Sequence, residues 1–329
     1  MILVTGGTGL VGAHLLLHLV ENGESVRAIY RNLESIQKTK NLFSIYQKET
    51  LFEEIDWIQA DIIDIPSLEI AFKNVEYVYH CAALISFDPK DEDLLRKTNI
   101  EGTANIVNFC LFNSIKKLCF VSSIAALGDL KENENTITEE TEWNPEKPHS
   151  DYAISKYGAE MEIWRGQQEG LNSVIVNPGI IIGAGFWEQG SGLLFKKVEK
   201  GLLFYTKGST GIIAVTDVVK IMIQLMDSDV KNERFTLIAE NITFQDLLNS
   251  IADSLKVKRP TIHATPFLVN IAYKIDWFLS NVLRQKRKLD RATAKASYTE
   301  NHYSNAKIKT TLQTEFIAIH QYINDISKL

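Results

Sequence analysis

The stretch Thr5-Gly6-Gly7-Thr8-Gly9-Leu10-Val11-Gly12 constrains this chain more than any other. Its glycines follow directly on the apolar run Ile2–Thr5 and precede Leu10–Glu21, a helix-period segment that stops at Asn22-Gly23. A strand, a turn nearly free of side chains and a helix must therefore follow one another at once. Gly7, Gly9 and Gly12 satisfy the pattern GxGxxG, and Gly6, Gly9 and Gly12 satisfy GxxGxxG. Either way the physical need is the same. A turn without Cβ atoms lets backbone N–H groups approach a pyrophosphate at a helix N-terminus, and Gly12 lets helix and strand pack closely. Glycines also serve tight turns for purely conformational reasons. Here the flanking strand and helix favour dinucleotide binding, through Gly6, Gly9, Leu10, Val11 and Gly12.

The rest of the first half alternates strand-like and helix-period segments. Strands are expected at 2–5, 25–30, 56–60, 75–81, 117–122 and 173–177. Several are continuous apolar runs, as strands covered on both faces require. Between them the clearest further helices are 91–112 and 151–168. This rhythm argues for an α/β fold with a doubly wound parallel (Rossmann) sheet. After Asn177-Pro178-Gly179 the rhythm loosens, with a glycine-rich, turn-like stretch at 179–192 and mostly helical segments beyond it. The reading is a dinucleotide-binding domain over 1–178 and a smaller substrate-binding region over 179–329, with part of 212–239 returning to the sheet.

At the end of the second strand the chain carries Tyr30-Arg31-Asn32, where an NAD-binding chain usually places an acidic residue for the ribose. Arg31 either grips a 2′-phosphate with its planar fork or is a solvated loop charge. The first reading favours NADP over NAD.

Tyr152-Ala153-Ile154-Ser155-Lys156 puts a phenol and an amine one helical turn apart on the same face. A phenol with pKa about 10 is a poor proton donor near neutrality until something stabilises its phenolate. A neighbouring ammonium does so, and it can also hydrogen-bond a ribose. The pattern alone is weak, since Tyr303 and Lys307 repeat it. Context separates the two. The 117–122 strand runs into Ser122 and Ser123, and in open α/β sheets catalytic groups gather at such C-terminal strand ends. The Tyr303 copy lacks such a partner and reads as an exposed C-terminal pattern.

Taken together, these motifs resemble the extended short-chain dehydrogenase/reductase superfamily. Further echoes are His80-Cys81-Ala82-Ala83, Asn99-Ile100-Glu101-Gly102-Thr103, Ser123 with Gly128, Asn177-Pro178-Gly179, and Val215-Thr216-Asp217-Val218-Val219. The resemblance implies that Tyr152 exchanges a proton with a substrate oxygen, that Lys156 lowers its pKa and binds ribose, and that Ser123 polarises the carbonyl. It implies cofactor contacts from Asp61 and Ile62 at the adenine, from Ala82, Ala83, Asn99 and Ser122, and from Pro178 beside the nicotinamide. Leu127-Gly128 stands where many sugar-nucleotide members carry Tyr-Gly. The tail from Pro260 resembles dihydroflavonol reductases and 3β-hydroxysteroid dehydrogenases. The expected activity is therefore hydride transfer at a ketone or secondary alcohol, with a nucleotide-sugar epimerase or dehydratase as the alternative. A homodimer is implied by the resemblance.

Composition narrows the partners. A net charge of -6 gives no reason to expect nucleic acid. Cys81, Cys110 and Cys119 are too scattered for a disulfide framework or a metal site, so buried thiols in a reducing compartment are expected. The seven histidines show no metal-ligand spacing, and His80 reads as a satisfied core residue. With a strand-like run at Met1 and no apolar stretch of membrane-spanning length, a cytoplasmic protein without an integral span is expected. Glu132, Glu134, Glu139, Glu140 and Glu142 read as a solvated loop, and Phe186, Trp187 and 190–192 as a border of the substrate pocket. The apolar segment 266–283 reads as a core helix, and Arg284, Lys286, Arg287, Lys288, Arg291 and Lys295 as a solvated charged face after it, with docking on an anionic membrane as the lesser reading.

Overall fold

The computed structural model describes residues 1–282 and 291–329. Its strands are β1 (Ile2–Thr5), β2 (Val26–Tyr30), β3 (Asp56–Gln59), β4 (Tyr77–His80), β5 (Lys117–Val121), β6 (Ser173–Pro178), β7 (Ile180–Ile182), β8 (Phe204–Tyr205), β9 (Ser209–Ala214), β10 (Glu233–Leu237), β11 (Glu240–Thr243) and β12 (Ile262–His263). Seven of them form one sheet in the order β10-β6-β5-β4-β1-β2-β3. Every pairing in it is parallel. The order reverses between β1 and β4, so a crevice opens at the C-terminal ends of those two strands.

The helices cover both faces because the strands are apolar on both. Leu3 and Val4 are completely buried, although consecutive strand residues face opposite sides. One side packs against Leu10–Glu21, which contributes Leu15, Leu16, Leu19 and Val20, and against Val215–Asp227; the other packs against Gly102–Phe112 and Asp151–Gln168. Each such side chain fully withdrawn from water contributes about 1.5–3 kcal/mol.

Departures from the sequence reading have local causes. The 91–112 helix is not continuous: Glu92–Leu95 leads into a π-helical segment, Arg96–Glu101, before Gly102–Phe112 resumes the α-helix. Ile180–Ile182 is a strand rather than a turn, pairing with β9; a Cβ on the adjoining Gly179 would lie 2.2 Å from the Gly211 oxygen. Tyr303 is buried, not exposed, packing with Leu127, Ile137 and Ile238. It also precedes the helix that contains Lys307 (Ala306–Leu312), so the second Tyr-x-x-x-Lys does not share a helical turn. Phe186 is buried against Ala13 and Leu42.

Glu132, Glu134, Glu140 and Glu142 are exposed as expected, but Glu139 is buried and accepts the Thr236 N–H at 2.6 Å. Pro266–Val282 is a helix but not a core one, for most of its apolar residues face outward. Arg284, Lys286, Arg287 and Lys288 lie outside the described residues, as does the side chain of Arg291; Lys295 is exposed. Among the described residues no helix is long and apolar enough to cross a membrane, and no cluster of potential metal ligands occurs.

Candidate active site

The glycine turn sits at the end of β1, and the structure separates the roles of its glycines. Gly6 has φ +70°, and a Cβ there would lie 2.6 Å from the Ala82 nitrogen. Gly12 needs its bareness for packing: a Cβ would come within 2.2 Å of the Gly6 oxygen. Gly7 instead meets Leu16 and Ala28 in the core, so GxxGxxG is the pattern that shapes the turn. Gly9 is the N-cap of Leu10–Glu21, with no side-chain cap and no acidic residue in the first turn. The first-turn amides, those of Leu10, Val11 and Gly12 among them, lack intrahelical acceptors and carry the positive end of the helix dipole. That cradle fits a dinucleotide pyrophosphate.

A buried chain of hydrogen bonds stiffens the crevice beside this turn. The Ala82 N–H donates to Thr5 Oγ1 at 3.2 Å, Thr5 Oγ1 lies 2.7 Å from His80 Nδ1, and His80 Nε2 lies 3.0 Å from Thr103 Oγ1. Thr103 donates onward to the Asn99 carbonyl at 2.6 Å. Each hydroxyl has one proton, so Thr103 must accept from Nε2–H and Thr5 must donate to Nδ1. His80 is thus a neutral, satisfied core residue, and burial lowers its pKa to about 3. Asn99 lies in the π-helical segment. Its side chain spans Leu84, whose N–H donates to Oδ1 at 2.7 Å, and Ser155, reached by Nδ2 at 2.9 Å. Such widened turns recur at functional sites, and this one ties Asn99 to the catalytic helix.

Asp151–Gln168 carries Tyr152 and Lys156, and Ser150 caps it by accepting the Ala153 N–H at 3.2 Å. Lys156 is buried. Its Nζ donates to the Val121 carbonyl at 2.8 Å and sits 4.9 Å from the centre of the Phe120 ring. Burial lowers its pKa to about 8, against the upward pull of Glu160 and Cys81. Burial raises the Tyr152 pKa, and a hydrogen bond from Ser123 opposes that shift. In this state the Lys156 amine is turned to the end of β5, and Ser123 is the hydrogen-bond partner of the Tyr152 hydroxyl. Ser123 Oγ also accepts the Ala125 N–H at 3.1 Å, which leaves its own proton for an oxygen in the crevice.

Ser122 points elsewhere. Its Oγ donates to the Glu160 carboxylate at 2.5 Å, and Asn177 Nδ2 donates both to that carboxylate at 2.5 Å and to the Ser123 carbonyl at 2.9 Å. Glu160, one turn beyond Lys156, is completely buried, and burial raises its pKa. Its counter-charge comes from β10, where Arg234 Nη1 lies 3.2 Å away. Sequence reasoning missed this pair. A carboxylate at i+4 from Lys156 was visible, but nothing local showed that a distant strand supplies its partner.

Of the remaining positions, Arg31 ends β2, is exposed, and lies 4.0 Å from Asp61, the second residue beyond β3. Ile62 is buried and would meet any Cβ placed on Gly102. Ala82 is half-buried, Ala83 is exposed, and Pro178 ends β6 in a buried position. Asp217 does not reach the crevice residues named above: it is buried and accepts the Ile317 N–H at 2.8 Å, pinning the C-terminal segment to the helix Val215–Asp227. Cys110 and Cys119 are buried and Cys81 half-buried, all with thiol pKa values raised chiefly by burial.

A parallel doubly wound sheet, a glycine turn at its switch point and a Ser-Tyr-Lys group beside it agree with a nicotinamide-dinucleotide enzyme. Residues 2–237 match the family model of the NAD dependent epimerase/dehydratase family. The chain belongs to that family, within the extended short-chain dehydrogenases/reductases. It is similar to a Synechocystis sp. protein assigned as a dihydroflavonol 4-reductase, 30% identical over 74% of this chain and 69% of that one. Sterol demethylase protein B of Methylococcus capsulatus is 26% identical over 81% and 78%. Among solved structures, the UDP-glucose 4-epimerase of Thermotoga maritima with UDP-glucose superposes with a TM-score of 0.78 at 19% identity, covering 99% of this chain and 97% of that one. That likeness shows the fold.

Proposed function

We propose that the protein is an oxidoreductase that transfers hydride between a nicotinamide and a ketone or secondary alcohol of apolar character. The observation that carries this reading is the surrounding of Tyr152. Phe87 meets its ring edge-on at 5.9 Å, and Phe87 and Ile85 are 41% and 61% exposed on the loop after β4. The approach to the phenol is thus flanked by bare apolar side chains. The names of the similar sequences, dihydroflavonol 4-reductase and anthocyanidin reductase, support the same direction.

A bound reduced nicotinamide supplies hydride to the carbonyl carbon. Tyr152 O–H gives its proton to the carbonyl oxygen, and Ser123 donates a hydrogen bond to the same oxygen as negative charge builds there. Lys156 has one N–H engaged by Val121 and two remaining, for the nascent phenolate and a ribose hydroxyl. Glycines 6, 9 and 12 hold the pyrophosphate, Asp61 and Ile62 border the adenine, and Ala82, Ala83, Asn99 and Pro178 line the cofactor groove. NADP is the proposed cofactor. Arg31 is exposed and its pairing with Asp61 is loose, worth about 0–1 kcal/mol, so its guanidinium is available to a 2′-phosphate. Residues 179–329, apart from Val215–Asp227 and β10, are taken as the substrate-binding region.

The alternative is a nucleotide-sugar epimerase or dehydratase, which shares the first step. Purified protein incubated with NADPH and a panel of apolar and aromatic ketones is expected to consume the two in equal amounts. Retention of tightly bound cofactor, with turnover of UDP- or dTDP-sugars and no net NADPH loss, overturns the reading.

A further inference from the structure

The helix Pro266–Val282 presents an apolar face whose described side chains are largely exposed. Phe267, Ile271, Ile275 and Phe278 stand at i, i+4, i+8 and i+11, which places them along one side. They are 71%, 39%, 53% and 57% exposed, and Leu268 and Trp277 flank them, each also exposed. On this helix Val269 is the buried apolar contact that anchors it. The surface extends through the short β8–β12 pair, where Phe204 and its partner Ile262 are exposed just before the helix begins. Single exposed apolar residues are ordinary, but a continuous array of this kind marks a contact surface.

We propose that this face docks on an anionic lipid surface, the helix lying in the plane of the interface. Charge complementarity selects the occupant. The chain as a whole is acidic, with 41 Asp and Glu against 35 Lys and Arg. Yet the sequence directly after the helix carries Arg284, Lys286, Arg287 and Lys288 within five residues. In a chain of net negative charge such a run supplies attraction to anionic headgroups next to the apolar face, so binding and orientation come together. Lys274 and Asp276 interrupt the apolar sequence, and no described helix is long and apolar enough to cross a membrane, so the proposed contact is one in which the helix lies on the bilayer.

The test is flotation of the full-length protein with vesicles of phosphatidylcholine, with and without phosphatidylserine. The protein is expected to float with the anionic vesicles, and bound protein to fall about tenfold in about 0.5 M salt. A Phe267→Gln/Phe278→Gln double variant is expected to lose flotation while keeping its thermal midpoint, since both side chains are exposed. Absence of flotation with either lipid overturns the proposal, as does undiminished flotation of the double variant. Sedimentation velocity closes the remaining route: a dimer that the double variant converts to monomer assigns the face to a second copy and likewise overturns it.

Discussion

Arg234 in β10 places its Nη1 3.2 Å from the carboxylate of Glu160, a group with no exposed surface on the helix that carries Tyr152 and Lys156. The guanidinium also donates through Nε to the Glu139 carbonyl at 2.8 Å and lies 5.4 Å from the centre of the Trp164 ring. The last strand of the sheet thereby neutralises a charge whose carboxylate receives the Ser122 hydroxyl and the Asn177 amide.

Breaking this pair strands a buried charge. Arg234→Met is expected to cost about 3–5 kcal/mol of stability, because Glu160 then lacks its counter-ion. Glu160→Gln, which removes the charge and keeps the shape, is expected to cost less. Urea unfolding of the two variants gives the comparison. Equal losses sink the charge argument and leave only packing.

Tyr152→Phe removes the hydroxyl proposed to move the proton. Turnover is expected to fall by about 10²–10⁴-fold. Cofactor affinity, measured by fluorescence titration, is expected to stay within about twofold, since the glycine turn is untouched.

The Lys156 pKa of about 8 sets two pH dependences. On the proposed mechanism the charged amine is the working form, so kcat/KM is expected to decline as pH rises through about 8. Stability runs the other way. Between about 8 and the ordinary lysine value of about 10.4, the unfolded chain holds a proton that the folded chain has released, so this group makes stability rise with pH across that window. Below the window the burial cost is constant. Lys156→Met is expected to abolish both the decline in activity and the rise in stability, as read by pH–rate profiles and by thermal unfolding at several pH values.

Gly6→Ala and Gly9→Ala distinguish fold from binding. A Cβ on Gly6 meets backbone at 2.6 Å from a positive φ, so the variant is expected to lose at least about 2 kcal/mol of stability. Gly9 has φ -105°, and a Cβ there finds its nearest neighbour at 3.4 Å. Its variant is expected to keep its thermal midpoint and bind cofactor more weakly, through crowding of the phosphate. Calorimetry and equilibrium dialysis separate the two outcomes.

Arg31→Ala is expected to raise the Michaelis constant for NADPH by about tenfold and leave that for NADH nearly unchanged, the loss of one charge-assisted contact to a phosphate. Parallel changes for the two cofactors refute the 2′-phosphate role.

Apart from the edge strand β3, with Asp56 and Gln59 exposed, the first six strands were legible because a strand buried on both faces must be a short apolar run, and these are bounded by glycine, asparagine or helix-period segments. Leu10–Glu21 and Asp151–Gln168 were legible to the residue, each having a clear start and stop. The placing of Tyr152 and Lys156 one turn apart on a single helix was legible because spacing along a helix alone sets it. The π-helical turn at Arg96–Glu101 left no such mark, since the partners of its Asn99, the Leu84 backbone and Ser155, lie far away along the chain.

What the sequence by itself determined is everything governed by neighbours along the chain: the glycine turn, the alternation of strand and helix, and the shared face of tyrosine and lysine. Only the tertiary structure decided how those groups are charged and held. Arg234 balances Glu160 across 74 residues, Glu139 turns inward to meet β10, Ser122 faces away from Ser123's task, and Lys156 is lowered by burial. The physical reason is that burial and electrostatic pairing depend on distance through space, whereas a sequence pattern reports only distance along the backbone.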